Sequence, residues 1–266
     1  MPYSESAAHV LEQCSCLQGL IWHTRPMTST AGGPTPGARA RARIEVTASI
    51  KDEARKQLAV GGGAKLSLRA VARELGMVSS ALYRYYPSRD DLLTALIVDA
   101  YDSIGEAAER AERKASAAEE TPARTWVAVC SAVRQWALAR PHEYALIYGS
   151  PVPGYAAPQD TVGPAARVAR VLIGITLEAY EGPGLAVARL PVEARPEAER
   201  IAADIVPELP PAAAAVLVGA WAQLFGLVSF EVFGHFHGVV EDRATFFELS
   251  VAQLAQDVGL VYPGPR

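Results

Sequence analysis

The sequence predicts an all-α fold, with an N-terminal three-helix helix-turn-helix domain joined to a larger C-terminal helical domain. Three observations carry this. Apolar residues recur at helical spacing from Ile44 onward, and no stretch shows the alternation of a half-buried strand. Residues 66–93, LSLRAVARELGMVSSALYRYYPSRDDLL, place two short helical patterns around a glycine-containing turn and open another after a proline. At 266 residues the chain accommodates one large domain or two moderate ones.

Residues 1–38 show no sustained periodicity, and TSTAGGPTPGARA reads as a Gly/Pro/Thr linker. A disordered extension is expected there, with Met27 as an alternative start. Cys14 and Cys16 form a lone C-x-C pair without a second Cys/His pair, so no metal is expected. Cys130 lies in an apolar helical pattern and reads as core. An odd cysteine count without a disulfide framework fits a reducing, cytoplasmic setting.

Residues 39–100 form the expected helix-turn-helix domain. Val46, Ile50, Ala54 and Leu58 recur every fourth position and define one face of a helix, with Lys51, Arg55 and Lys56 outside it. Gly61, Gly62 and Gly63 end that helix. Ser67 caps the next one, in which Leu68, Val71, Ala72 and Leu75 keep helical spacing, and Gly76 supplies a left-handed C-terminal turn. A third helix spans about Ser79 to Tyr86 and is stopped by Pro87. Ser88 caps a fourth, with Asp91 as its capping-box partner, running to about Ala108.

Residues 101–266 are expected to form a helical ligand-binding and dimerisation domain. Alanine-rich residues 111–122 connect to it, and helices are predicted at 123–139, 141–149, 161–181, 195–206, 211–237 and 243–258. PVPGYAAP (151–158) and EGPG (181–184) are clear breaks. Ala212–Phe230 lacks charge, but it is rich in Ala and Gly and lacks flanking basic anchors. It therefore reads as a buried or interface helix, and no membrane partner is expected.

Charge separates the two regions. Between Arg39 and Asp99 there are 11 Lys/Arg and 7 Asp/Glu, a balance of +4; the whole chain carries −4, so the remainder carries −8. A basic block on an acidic body points to a polyanion partner for the first region. Leu68, Val71, Ala72, Leu75, Leu82 and Tyr86 can pack against Ile50, Ala54 and Leu58, so that the third helix stands proud of the surface. It then offers Ser79, Ser80, Ala81, Tyr83 and Arg84 to base edges in a major groove. Tyr83, Tyr85 and Arg89 suit phosphate oxygens. Arg39, Arg41 and Arg43 read as a flexible basic arm adding salt-dependent affinity.

SLRAVARELG followed by ALYRYYPSRDDLL closely resembles the DNA-binding domain of TetR/AcrR-family transcriptional regulators over about residues 45–100. The resemblance implies DNA contacts at Arg69, Ser79, Ser80, Ala81, Tyr83, Arg84, Tyr85 and Arg89, with Leu82 and Tyr86 in the core. It also implies a double-stranded, palindromic DNA operator as partner. Val78 departs from the pattern, in which Ser or Thr is common, and leaves Ser79 or Ser80 to cap the recognition helix. PHEYALIYGSPVPGY (141–155) and WAQLFGLVSFEVFGHFHG (221–238) resemble the subgroup whose C-terminal domain is named for its Trp, His and Gly positions.

In the second region Trp126, Trp136, Tyr144, Tyr148, Trp221 and Phe225 are the expected walls of a small-molecule effector cavity. His142, Glu143, Gln223, Ser229, Glu231 and His235 are candidate polar groups. The last two helices carry small residues for close approach and apolar ones for area, and are expected to form a homodimer interface. No catalytic constellation is present: the histidines lack HExxH spacing, no G-x-S-x-G occurs, and GGGAK is not a phosphate loop. Neither cofactor nor metal is expected. The function predicted is a DNA-binding transcriptional regulator, a repressor released by a small apolar or aromatic ligand. The alternative is a helical small-molecule-binding or membrane-associated interaction protein without specific DNA recognition.

Overall fold

In the computed structural model residues 37–182, 185–187 and 189–260 are described. The expectations for residues 1–36, including the disordered extension, the Cys14–Cys16 pair and Met27, lie outside them. The described residues are helical throughout: α1 (Ala38–Gly61), α2 (Leu68–Glu74), α3 (Ser79–Leu82), α4 (Arg89–Ala117), α5 (Pro122–Ala139), α6 (Pro141–Tyr148), α7 (Val162–Ala165), α8 (Arg167–Glu181), α9 (Arg195–Ile205), α10 (Pro211–Val232) and α11 (Arg243–Val258). The β-type pairing among them is one antiparallel bridge, Leu185 to Leu260. Two compact units result. One comprises residues 37–100 and 142–161; the other comprises 101–141 and the described residues from 162 onward.

The first unit has the predicted core. Ile50, Ala54 and Leu58 of α1 are buried with Leu68, Val71 and Ala72 of α2, Leu82 of α3, and Tyr86, Leu92 and Leu93 beyond it. Leu75 is only half-buried. Residues 142–161 pack on this body through both apolar and polar groups. The hydroxyls of Thr94 and Tyr155 lie 2.9 Å apart, and burial pushes the Tyr155 phenol up from its ordinary pKa. Arg55 meets Asp99 at 2.7 Å and Glu143 at 3.6 Å. The triple-glycine turn after α1 is explained by the same packing. A Cβ on Gly63 would sit 2.7 Å from Val152 and 3.4 Å from Leu146, so the turn's backbone runs directly against these side chains.

In the second unit α10 packs on α9 and α11, and α5 packs on α8, α10 and α11. Helix α10 is long and apolar enough to cross a membrane by length and composition. One of its stripes is core, however: Ala213, Ala214, Leu217, Ala220, Leu224, Phe225 and Val228 are buried. Two arginine clusters lock this unit. Arg167 at the start of α8 donates to both carboxylate oxygens of Glu109 at 2.8 Å, to Asp102 Oδ1 at 2.7 Å and to the Asp102 carbonyl at 3.0 Å. Arg134 of α5 forms a bidentate pair at 2.6 Å with Glu231, which is buried. Such a pair has to be matched in this way to offset the desolvation of both charges.

Three boundaries differ from the sequence expectation. Helix α4 runs on to Ala117, and the alanine-rich connector becomes its last turns, supported by the pairs Arg110–Glu106 and Ser116–Glu112. The helix expected over 161–181 is divided at Ala166 into α7 and α8. Helix α10 ends at Val232, short of 237. Gly234 takes φ +79, and the amides of Gly234 and His235 turn back to the carbonyls of Glu231 and Phe230, the closing geometry of a left-handed cap. The arginines expected in a flexible arm are also ordered, since Arg39, Arg41 and Arg43 lie in the first turns of α1.

Two outcomes are expected. Gly63→Ala should destabilise the protein by about 1–3 kcal/mol through overpacking, and Val152→Ala in the same chain should recover part of the loss, measured by denaturant unfolding. The Arg167 guanidinium holds the Glu109 carboxyl below its usual range. Its stabilisation is therefore complete above the unfolded value of about 4.3 and is lost as pH falls through the lower folded value. Glu109→Gln should cost about 1 kcal/mol at pH 7, allowing for solvent screening of this half-exposed pair. Urea titrations of the two proteins should converge as pH falls below the lowered folded value of Glu109.

Candidate nucleic-acid interface

The reading element is built by caps on either side of a very short helix. Ser67 Oγ accepts from the Ala70 amide at 3.4 Å to open α2. Gly76, at φ +65, closes it, with the Gly76 and Met77 amides returning to the Arg73 and Ala72 carbonyls. Helix α3 is regular only over Ser79–Leu82 and continues to Tyr86 as tightened turns, with Tyr85 N donating to Leu82 O at 2.8 Å and Tyr86 N to the same carbonyl at 3.1 Å. Pro87 explains the early end, because it disfavours helical geometry in the residue before it. The following helix opens with the predicted capping box: Ser88 N donates to Asp91 Oδ2 at 2.8 Å and Asp91 N to Ser88 Oγ at 3.1 Å.

The predicted contact residues fall on α2, α3 and the turns after it. Arg69, Ser79, Ser80, Tyr83 and Arg84 are exposed, while Ala81 and Tyr85 are half-buried. Leu82, with no exposure, and Tyr86 point into the core as expected. Burial raises the Tyr86 phenol pKa. Arg89 is partly committed elsewhere. Its guanidinium donates to the Gly63 carbonyl at 2.7 Å and to Asp90 at 3.2 Å, so it holds the turn before α2 in place. Val78 occupies the N-cap of α3 without any side-chain cap bond, so neither serine takes over that role.

One residue of the expected basic arm lies closer to α3 than the sequence indicates. The Arg43 guanidinium lies 5.1 Å from the centroid of the Tyr85 ring, which brings the basic start of α1 beside the turn after the recognition helix. The available signal was spacing: Arg39, Arg43, Thr47, Lys51 and Arg55 follow one another at four-residue steps along α1. Lys51 and Arg55 share Asp99 at 2.7 Å, and Arg55 also meets Asp52 at 2.8 Å.

The expected effector walls are dispersed. Tyr144 and Tyr148 belong to the first unit, where their rings lie 5.2 Å apart. Trp126, Trp136, Trp221 and Phe225 belong to the second. Trp136 donates to Ser103 at 2.8 Å, and Trp221 meets Phe225 edge-on at 5.5 Å. Trp126 is fully buried, yet its indole N–H has no hydrogen-bond partner among the described residues. Trp221 borders a void of about 20 Å³ with Leu172, Ile173, Val206 and Leu217. Of the polar candidates, Glu231 is taken by Arg134, and His235 packs 5.0 Å from the Phe230 ring.

Residues 50–96 match the family model of bacterial regulatory proteins of the tetR family, and residues 126–254 match the tetracyclin repressor-like C-terminal domain. Annotated HTH-type transcriptional regulators of Mycobacterium tuberculosis (strain H37Rv) and Mycobacterium bovis are each 40% identical over 239 residues, covering 83% of this chain and 97% of theirs. The chain belongs to the TetR family. A crystal structure of the regulatory protein SCO4313 superposes with a TM-score of 0.67 at 34% identity, covering 84% of this chain and 100% of that one. A TetR-family transcription regulator from Shewanella sp. PV-4 shares the fold, with a TM-score of 0.54 at 15% identity over 81% of this chain and 98% of that one. The helix-turn-helix and the larger helical domain of this TetR-family member are thus those of a DNA-binding transcriptional regulator. The C-terminal match names no subgroup, so the Trp-His-Gly assignment rests on the sequence resemblance alone.

Arg43→Ala should weaken duplex binding to a similar degree across sequences and lower the salt slope by about 0.9 for the lost phosphate contact. Arg84→Ala should instead relax sequence preference. Fluorescence anisotropy over a salt series separates the two.

Proposed function

We propose that this regulator is a homodimeric repressor that occupies a palindromic operator and is released by a small apolar or aromatic effector. The observation carrying this reading is an uncovered apolar face on the second unit. Between α10 and α11 lies an open groove of about 750 Å³ lined by Leu227, Phe230, Phe236, Phe246, Leu249 and Leu254 among others. Phe230 is 53% and Leu249 67% exposed. So much exposed aromatic and aliphatic surface on two adjacent helices suits a second copy of the same chain, related by a two-fold axis. Such a pair carries two copies of α3, and recognition helices about 34–36 Å apart match one turn of duplex.

The effector reading rests on the second unit's interior. Its core is nearly closed, but the Trp126 indole N–H is a buried donor that calls for an acceptor. An effector with an apolar body and one acceptor oxygen or nitrogen would meet that group. It favours release only to the extent that it binds the DNA-incompetent spacing more tightly than the competent one. Its site of action is the cytoplasm, where the operator lies.

Leu249→Glu places a charge on the exposed face and should leave the fold intact while shifting the protein to monomer in sedimentation. Binding to a duplex from the region upstream of its own gene should fall at least tenfold. A monomeric wild type, or one that binds no duplex at moderate salt, overturns this reading.

A further inference from the structure

Val78 breaks two local rules at one position. It stands at the N-cap of α3, at φ −68 and ψ 138, where a short polar side chain would satisfy an amide of the first turn, and no side-chain cap is made. Its isopropyl group is also 70% exposed, while the neighbouring Val71 and Leu82 are fully buried. Nothing in the first unit repays either cost: the residue contributes no cap and little core. Rule-breaking of this kind gathers where function is served.

Its neighbours indicate what that function is. Val78, Ser79 and Ser80 are exposed in succession at the leading end of α3, the part of a recognition helix that meets base edges. In the major groove the apolar feature of a base edge is the C5 methyl of thymine; the other groups there donate or accept hydrogen bonds. We propose that Val78 is a specificity-determining residue that packs its isopropyl group against one thymine methyl in each copy of the operator half-site. This rests on reading α3 as the recognition helix. Serine or threonine at this position would cap the helix and could bond to several bases or to phosphate. Valine gives up that versatility. Opposite a purine or a cytosine it would leave a groove donor or acceptor desolvated and unpaired, so it discriminates by penalty as well as by contact.

The full-length protein would be used to enrich duplexes from a randomised pool. Each thymine of the enriched duplex would then be replaced by uracil, which keeps the pairing and O4 but lacks the methyl. For the wild type, one thymine per half-site should show a loss of about fourfold on replacement, the worth of one buried carbon. Val78→Ser should bind the thymine and uracil duplexes equally at that position, with an unchanged or higher melting temperature because serine restores the cap. Val78→Thr, which keeps one methyl, should be intermediate. Absence of any methyl-dependent position, or the same methyl effect in Val78→Ser, overturns the assignment while leaving DNA recognition intact. Failure to enrich any duplex overturns the recognition-helix reading itself, and this inference with it.

Discussion

The reading surface depends on burying Leu82. Helix α3 has a single regular turn, no side-chain cap and a proline soon after it. A segment this short has no helical stability of its own, because nucleation costs more than one turn of hydrogen bonds returns. Its conformation is imposed by Leu82 in its middle and Tyr86 at its end, both buried with Ile50, Ala54, Leu58, Val71 and Leu92. Pinning those two positions turns Ser79, Ser80, Tyr83 and Arg84 outward. The presentation of polar groups is thus a consequence of apolar packing, and the side chains on the exposed face are left to chemistry.

That division explains what could be read from the sequence. The caps at Ser67 and Ser88, the left-handed turn at Gly76, the stop at Pro87 and the four-residue apolar face of α1, buried at all but Val46, are local signals, each confined to a few neighbouring positions. They fix the elements and their core faces almost completely. What they cannot convey is contact between distant segments. The packing of residues 142–161 on the first unit is written in pairs such as Gly63–Val152 and Thr94–Tyr155, separated by many tens of residues. The need for glycine at Gly63 is invisible locally because Val152 and Leu146 lie far along the chain. Likewise Arg43 declared its charge but not its position beside Tyr85, which required α1 to begin as early as Ala38.

The second unit was less legible for a different reason. Helix α10 is apolar nearly all round, so periodicity cannot say which stripe is core and which is surface. Leu224 and Val228 turn inward, while Phe230 and its neighbours line an open groove. Aromatic residues are equally ambiguous, because a tryptophan that fills a core and one that walls a cavity are the same letter. Trp136 is held by Ser103 and has a structural use. The unpaired N–H of Trp126 sets it apart, and only coordinates could reveal that.

The distribution of charge ties the two units to one logic. In the second, Arg134 and Arg167 are matched to carboxylates on other helices, with bidentate geometry at Glu231 and Glu109 and a single carboxylate contact at Asp102. The guanidinium groups there serve as struts. Arg69 and Arg84, on α2 and just after α3, are exposed and make no ion pair among the described residues, whereas Lys51 and Arg55 of α1 are paired with Asp99 and Asp52. The same side chain therefore serves cohesion where helices hold their spacing and stays exposed beside α3. The net balance of +4 for residues 39–99 is thus not spread evenly, because several of its charges are paired along α1. Electrostatic attraction to duplex DNA is set by the charges left uncancelled beside α3, and the acidic remainder of the chain keeps that attraction confined to a single surface.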